Sequence, residues 1–206
     1  MKTEKVFQLF IITQPRFFKD EEKFILQLLE LGASGIYIRK ENYSAEYIWN
    51  IFKKVARKFH HKLIIPFSFY DENNFKECNF IIHFKEKERT IENLSKVPIE
   101  AVLSTSIHDL NKWKELADKF KIIFYSPVFE SISKPNYKPK ISLKELSVQI
   151  GNRKSEIENL IALGGINESN ILLIKEAGFN GAALLGTIWK SDEPIEAFNK
   201  IKAVLG

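Results

Sequence analysis

A single cysteine, Cys78, occurs in 206 residues. One cysteine cannot close an internal disulfide or supply a zinc-binding cysteine cluster, and its isolation fits a reducing compartment. No apolar run approaches the roughly 20 residues that a membrane span needs, so no membrane partner is expected. Met1-Lys2-Thr3-Glu4-Lys5 leads directly into the apolar stretch from Val6 to Ile12, with no small-residue cleavage site behind it. This pattern predicts no signal peptide and a cytoplasmic protein. Blocks of one charge are also missing. The formal net charge is +5, yet acidic residues are interleaved with basic ones, as in Lys85-Glu86-Lys87-Glu88-Arg89. Such a run reads as a solvated face. No nucleic-acid motif stands behind the positive excess, which suits small anionic substrates. No linker, composition shift or repeat divides the chain, so residues 1–206 are expected to form one domain with its own core. The sequence leaves homo-oligomerisation open.

What is present is a series of short apolar runs. Val6 to Ile12, Gly35 to Ile38, Lys62 to Ile65, Phe80 to Phe84, Ala101 to Ser104, Lys121 to Tyr125, Leu160 to Leu163 and Gly181 to Leu185 each read as a strand. None alternates cleanly with polar residues, as expected of parallel strands buried on both faces. Segments of helical spacing separate most of them: 20–31, a Ser44-capped helix to residue 59, 90–96, a helix opened by Ser106, 142–150, 168–177 and 194–205. A short polar segment, 71–77, follows the third strand. Eight βα units in about 200 residues predict a small α/β protein of the TIM (βα)8 barrel type. An open doubly wound sheet is the alternative.

In such a barrel, chemistry sits just after the C-terminal strand ends. Those positions hold Arg39 and Lys40 after strand two, His83 at strand four, and Ser106 and His108 after strand five. Strand six runs into Pro127-Val128-Phe129-Glu130-Ser131-Ile132-Ser133-Lys134. Its hydroxyls, Ser131 and Ser133, and its amine, Lys134, suit phosphate oxygens. Gly164-Gly165 follow strand seven, and Gly186-Thr187 follow strand eight, where backbone N–H groups can approach an anion. Together these residues predict a phosphorylated or doubly anionic ligand. Taken singly, Ser106 with Asp109 is a variant capping box and either histidine could be structural. His60-His61 lies before strand three, at the wrong end of the barrel.

The ordered set Ile38-Arg39-Lys40, Ser106-Ile107-His108, Pro127-Val128-Phe129 with Ser131-Ile132-Ser133-Lys134, and Leu163-Gly164-Gly165-Ile166 resembles the thiamine phosphate synthase family, which includes the thiazole tautomerases. The resemblance implies a transferase of thiamine biosynthesis. It would join a pyrimidine methyl diphosphate to a thiazole phosphate with the help of Mg²⁺, releasing diphosphate. It further implies that Arg39, Lys134 and Lys40 hold the diphosphate and that Ser106 hydrogen-bonds to it. Ser131 and Ser133 would border the thiazole phosphate, held by N–H groups near Gly165 and Gly186. The family's synthases carry Mg²⁺-binding carboxylates after strands three and four. Here those exits read Pro66-Phe67-Ser68-Phe69-Tyr70 and His83-Phe84-Lys85-Glu86-Lys87. Asp71 and Glu86 stand nearest and are the metal-ligand candidates. Condensation is the first expectation. A metal-free thiazole tautomerase using His83 or His108 for proton transfer, or a non-catalytic binder of thiazole or thiamine phosphate, are the alternatives.

Overall fold

The computed structural model describes residues 6–40, 43–72, 79–132, 136, 138–152 and 159–206. Eight parallel strands close on one another in chain order. They are β1 (Gln8–Ile12), β2 (Gly35–Tyr37), β3 (Leu63–Pro66), β4 (Ile81–Phe84), β5 (Val102–Ile107), β6 (Ile122–Tyr125), β7 (Leu160–Leu163) and β8 (Gly181–Leu184). β8 pairs back onto β1, with Gln8 opposite Gly181, and this closes the TIM barrel. The described helices are α1 (Glu21–Glu30), α2 (Ala45–Lys54), α3 (Ile91–Leu94), α4 (Trp113–Leu116), α5 (Leu143–Gly151), α6 (Ile171–Glu176), α7 (Gly186–Trp189) and α8 (Pro194–Leu205).

The strands show no polar alternation because both of their faces are buried. Leu9, Ile11, Leu63, Ile65, Ile82, Phe84, Ile123 and Tyr125 pack outward into the core shared with the helices. Phe10, Ile12, Tyr37, Ile64, Ile81, Ile122, Phe124 and Ile161 form a second cluster that fills the barrel. The period of two, invisible as hydropathy, therefore assigns every residue to inside or outside. On β4 it turns Ile81 and His83 inward.

Several expected boundaries move, and the helix capped by Ser44, expected to reach residue 59, ends at Lys54. β5 continues through Ser106, which pairs with Phe124 of β6. Ser106 therefore does not open a helix. Asp109 does the capping instead, accepting a hydrogen bond from the Asn111 N–H at 2.9 Å. A strand this polar survives because its hydroxyls find partners: buried Thr105 donates to the Phe84 carbonyl at 2.7 Å. The helix expected from residue 168 starts only at Ile171. Asn167 first turns the chain, accepting the Ser169 N–H at 2.9 Å. Pro66 is the last paired residue of β3, opposite His83. The polar segment at 71–77 lies largely outside the described residues. No described helix is long and apolar enough to cross a membrane.

Candidate active site at the barrel mouth

A cavity of about 340 Å³ opens where the C-terminal strand ends converge. Tyr37 on β2, His83 on β4, Ser106 on β5 and Phe124 on β6 line it, and Arg39, Lys85, His108 and Ser126 stand just beyond the ends of the same strands. Ser131 and Ile132 project from the loop that follows. Gly164, Gly165, Gly186 and Thr187 complete the far wall. Eight of the expected site residues therefore meet: Arg39, His83, Ser106, His108, Ser131, Gly165, Gly186 and Thr187. Ser133 and Lys134 lie outside the described residues.

Lys40 departs from expectation. It was grouped with Arg39 as a phosphate ligand, but its ammonium turns away from the cavity. It donates to the carbonyls of Gln14 at 2.7 Å and Arg16 at 3.1 Å, and to Glu21 Oε1 at 2.6 Å. Both charged side chains are fully buried. Three donor protons meet three acceptors, so none is left for a substrate. Burial pushes Glu21 up and Lys40 down, and the bond between them resists both shifts. The Tyr47 hydroxyl also donates to Glu21, at 3.4 Å. Arg39 goes the other way because its own backbone is clamped: its N–H donates to Thr13 Oγ1 at 3.0 Å and to the Tyr37 carbonyl. Two adjacent cations thus serve opposite sides of one strand end.

His83 forms the cavity floor. It is 2% exposed and lies against Tyr37, with ring centroids 4.5 Å apart. Its Nδ1 is 3.0 Å from Ser104 Oγ and its Nε2 3.3 Å from Ser106 Oγ. Burial, with the charges of Lys85 and Arg89 beside it, lowers its pKa from 6.5 to about 3. The imidazole is therefore neutral, with one nitrogen donating and the other accepting. This has a consequence for stability. Below pH 6.5 the unfolded imidazole takes up a proton that the folded one refuses until about 3. Unfolding free energy should fall with pH across that window, by up to about 1.4 kcal/mol per unit. Urea midpoints at about pH 7 and 5 should converge in His83→Gln relative to wild type; equal drops in both would show that His83 is not held neutral.

His108 is set differently. Its Nδ1 lies 2.6 Å from the Ser126 carbonyl, which can only accept, so Nδ1 carries the proton. In the neutral ring the lone pair is then on Nε2. The glycine wall is shaped by close approach. A Cβ on Gly165, at φ +67°, would stand 2.4 Å from the Glu130 carbonyl oxygen, and one on Gly164 would stand 2.9 Å from Pro127 Cβ. Only glycine lets the β7 exit lie against the Pro127–Glu130 loop. The two loops are joined by Val128 N–H to the Leu163 carbonyl at 3.0 Å and Phe129 N–H to the Gly164 carbonyl at 3.1 Å. The Thr187 hydroxyl donates to the Ile166 carbonyl, which braces this wall from the β8 side.

The metal candidates do not assemble. Glu86 is paired with Lys112 and, at 3.4 Å, with Arg89, and neither Glu86 nor Asp71 lines the cavity. Among the described residues, no group of three His, Cys, Asp or Glu side chains could hold a metal ion. Phe67, at the exit of β3, stacks on Phe84 with centroids 4.5 Å apart and offers no oxygen. Mg²⁺ takes carboxylate oxygens alongside those of its substrate, and the described lining of this cavity contains no carboxylate. The donor set does not fit the ion.

Lys85, Tyr37, Ser104 and Ser126 were missed in the sequence reading. Lys85 and Tyr37 carried a signal, since counting by two from Ile81 or from Gly35 places each of them inward. Ser104 and Ser126 carry the same signal, two residues from Ser106 and Phe124, but their roles are set by His83 and His108 on neighbouring strand ends.

A cavity at the C-terminal mouth of a closed (βα)8 barrel, lined by cationic side chains, imidazoles and glycine loops, defines a TIM-barrel protein. Residues 9–188 match the thiamine monophosphate synthase family, and the chain belongs to it. Among solved structures, a thiamine phosphate pyrophosphorylase from Bacteroides thetaiotaomicron is 26% identical, with a TM-score of 0.77 over 96% of both chains. One from Pyrococcus furiosus shares 18% identity and a TM-score of 0.76, covering 96% of this chain and 95% of its own. The tryptophan synthase α subunit from Legionella pneumophila shares the barrel at 11% identity and a TM-score of 0.69, over 97% and 92% of the chains.

Proposed function

We propose that this family member acts in thiamine biosynthesis on a thiazole phosphate, moving a proton on the heterocycle without a metal. One observation carries the preference for this over condensation: the described lining of the mouth holds imidazoles, hydroxyls and cations but no carboxylate. Tautomerisation needs one group that accepts a proton from one ring position and returns it at another, with no net change of atoms. His108 meets that need. Its Nδ1–H is held by the Ser126 carbonyl at 2.6 Å, so Nε2 is the base. Once protonated, the ring keeps that bond as a stronger, charge-assisted one. His83 is unsuited to the role, because it resists protonation and both its nitrogens face serine hydroxyls. Its part is to orient the Ser106 hydroxyl. The phosphate belongs at the Gly165, Gly186 and Thr187 wall, which lines the same cavity opposite the cationic side chains.

Condensation to thiamine phosphate, the transferase reading, is second. It is favoured by cationic and glycine walls within one cavity, which give room for two anionic groups. The test is to supply the non-aromatic thiazole phosphate tautomer in EDTA and follow formation of the aromatic ring. Conversion at an undiminished rate is expected. An absolute Mg²⁺ requirement, with thiamine phosphate formed once the pyrimidine diphosphate is added, would establish condensation instead. The lone cysteine supports a reducing, cytoplasmic setting.

A further inference from the structure

We infer that Lys85, which lines the same cavity as Arg39, holds a second anionic group of the ligand directly, in the place where a divalent cation would otherwise bridge to carboxylates. This rests on the reading above that the cavity takes a phosphorylated ligand, and adds a second charged contact to it. The placement follows from the β4 register. Ile81 and His83 face the barrel interior, and Lys85 is the next residue of that parity, at the cavity wall.

The surroundings leave its charge uncompensated. The Lys85 backbone N–H donates to Glu88 Oε2 at 2.8 Å, so the loop turns against its own carboxylate. Glu86 is engaged by Lys112 and Arg89. The Lys85 ammonium itself makes no ion pair with any described residue, and the described cavity lining offers no Asp or Glu. A dication at Lys85 would meet a like charge and no carboxylate in the described lining. An anion there meets the opposite charge, at an exposed rim where salt screens the contact. The nearness of the ammonium is also visible in its effect on His83. The shared chemistry of the predicted group is a carboxylate or phosphate oxyanion.

Calorimetric titration with inorganic diphosphate, and separately with oxalate, in EDTA and then in Mg²⁺, tests this. Wild type should bind at least one of the two in EDTA, and which one identifies the oxyanion. Lys85→Met should weaken that binding about tenfold, the cost of one lost charge-assisted contact. Lys87→Met, the same charge change on the same loop outside the cavity, should stay within about twofold. Mg²⁺ should not tighten the complex. Binding that needs Mg²⁺, binding that Lys85→Met leaves at the Lys87→Met value, or no binding of either anion would each overturn the inference. Thiazole turnover in the same preparation reports on the proposed function separately. Turnover without anion binding would keep the function and remove the Lys85 site; anion binding without turnover would do the reverse.

Discussion

Lys40→Met should lower the unfolding free energy by about 3 to 5 kcal/mol, the cost of leaving a buried carboxylate without its cation. The side chains of Lys40 and Glu21 are wholly inaccessible, and the ammonium also bonds to the Gln14 and Arg16 carbonyls. Removing it strips three acceptors at once. The double variant Lys40→Met with Glu21→Leu should recover much of the loss, since apolar pairs of similar volume often replace buried ion pairs at little cost. Urea denaturation measures both. The experiment also separates the structural role from the one expected of the sequence. A structural Lys40 leaves the affinity of folded protein for thiazole phosphate within about threefold, whereas a ligand-binding Lys40 would cost affinity with little change in stability.

The second large effect falls on chemistry. His108→Asn should reduce tautomer turnover by about 10²- to 10⁴-fold, the usual share of a general base. Asparagine keeps an N–H that can still donate to the Ser126 carbonyl, which His108 meets at 2.6 Å, but it has no basic nitrogen. Substrate affinity should therefore change little while kcat falls. Near-wild-type turnover in His108→Asn would place the base elsewhere and remove the support for proton transfer at this residue. His83→Gln should be milder in kcat, because His83 acts through the Ser106 hydroxyl rather than on the ligand.

The order of strands, the barrel class and most of the mouth were legible because they are encoded locally. Each strand is a short apolar run, and the chemistry-bearing residues stand directly after those runs. Gly164-Gly165 is expected to bring backbone up to an anion, whereas the close contacts that require glycine at 164 and 165 are with the Pro127–Glu130 loop of the chain itself. Ser106 was placed at the mouth correctly but for an incomplete reason. Its spacing to Asp109 imitates a helix cap, while its true environment is a strand whose hydroxyls are satisfied across β4 and β5.

By itself, the sequence determined the eight-unit plan, the cluster of cationic, hydroxyl and glycine residues at the strand exits and the lack of carboxylates at the matching positions after the third and fourth strands. These depend on composition and on positions along one chain. Only the tertiary structure decided which way neighbouring side chains turn. Arg39 faces the cavity and Lys40 is buried against Glu21, because β1, β2 and α1 meet there and offer three acceptors on one side alone. The two histidines differ in their hydrogen bonding for the same kind of reason. One ring is sealed inside the barrel between two serines, and the other is anchored through one nitrogen to a carbonyl of the next strand's exit. Burial and cross-strand partners set these states, and both arise only when the barrel closes.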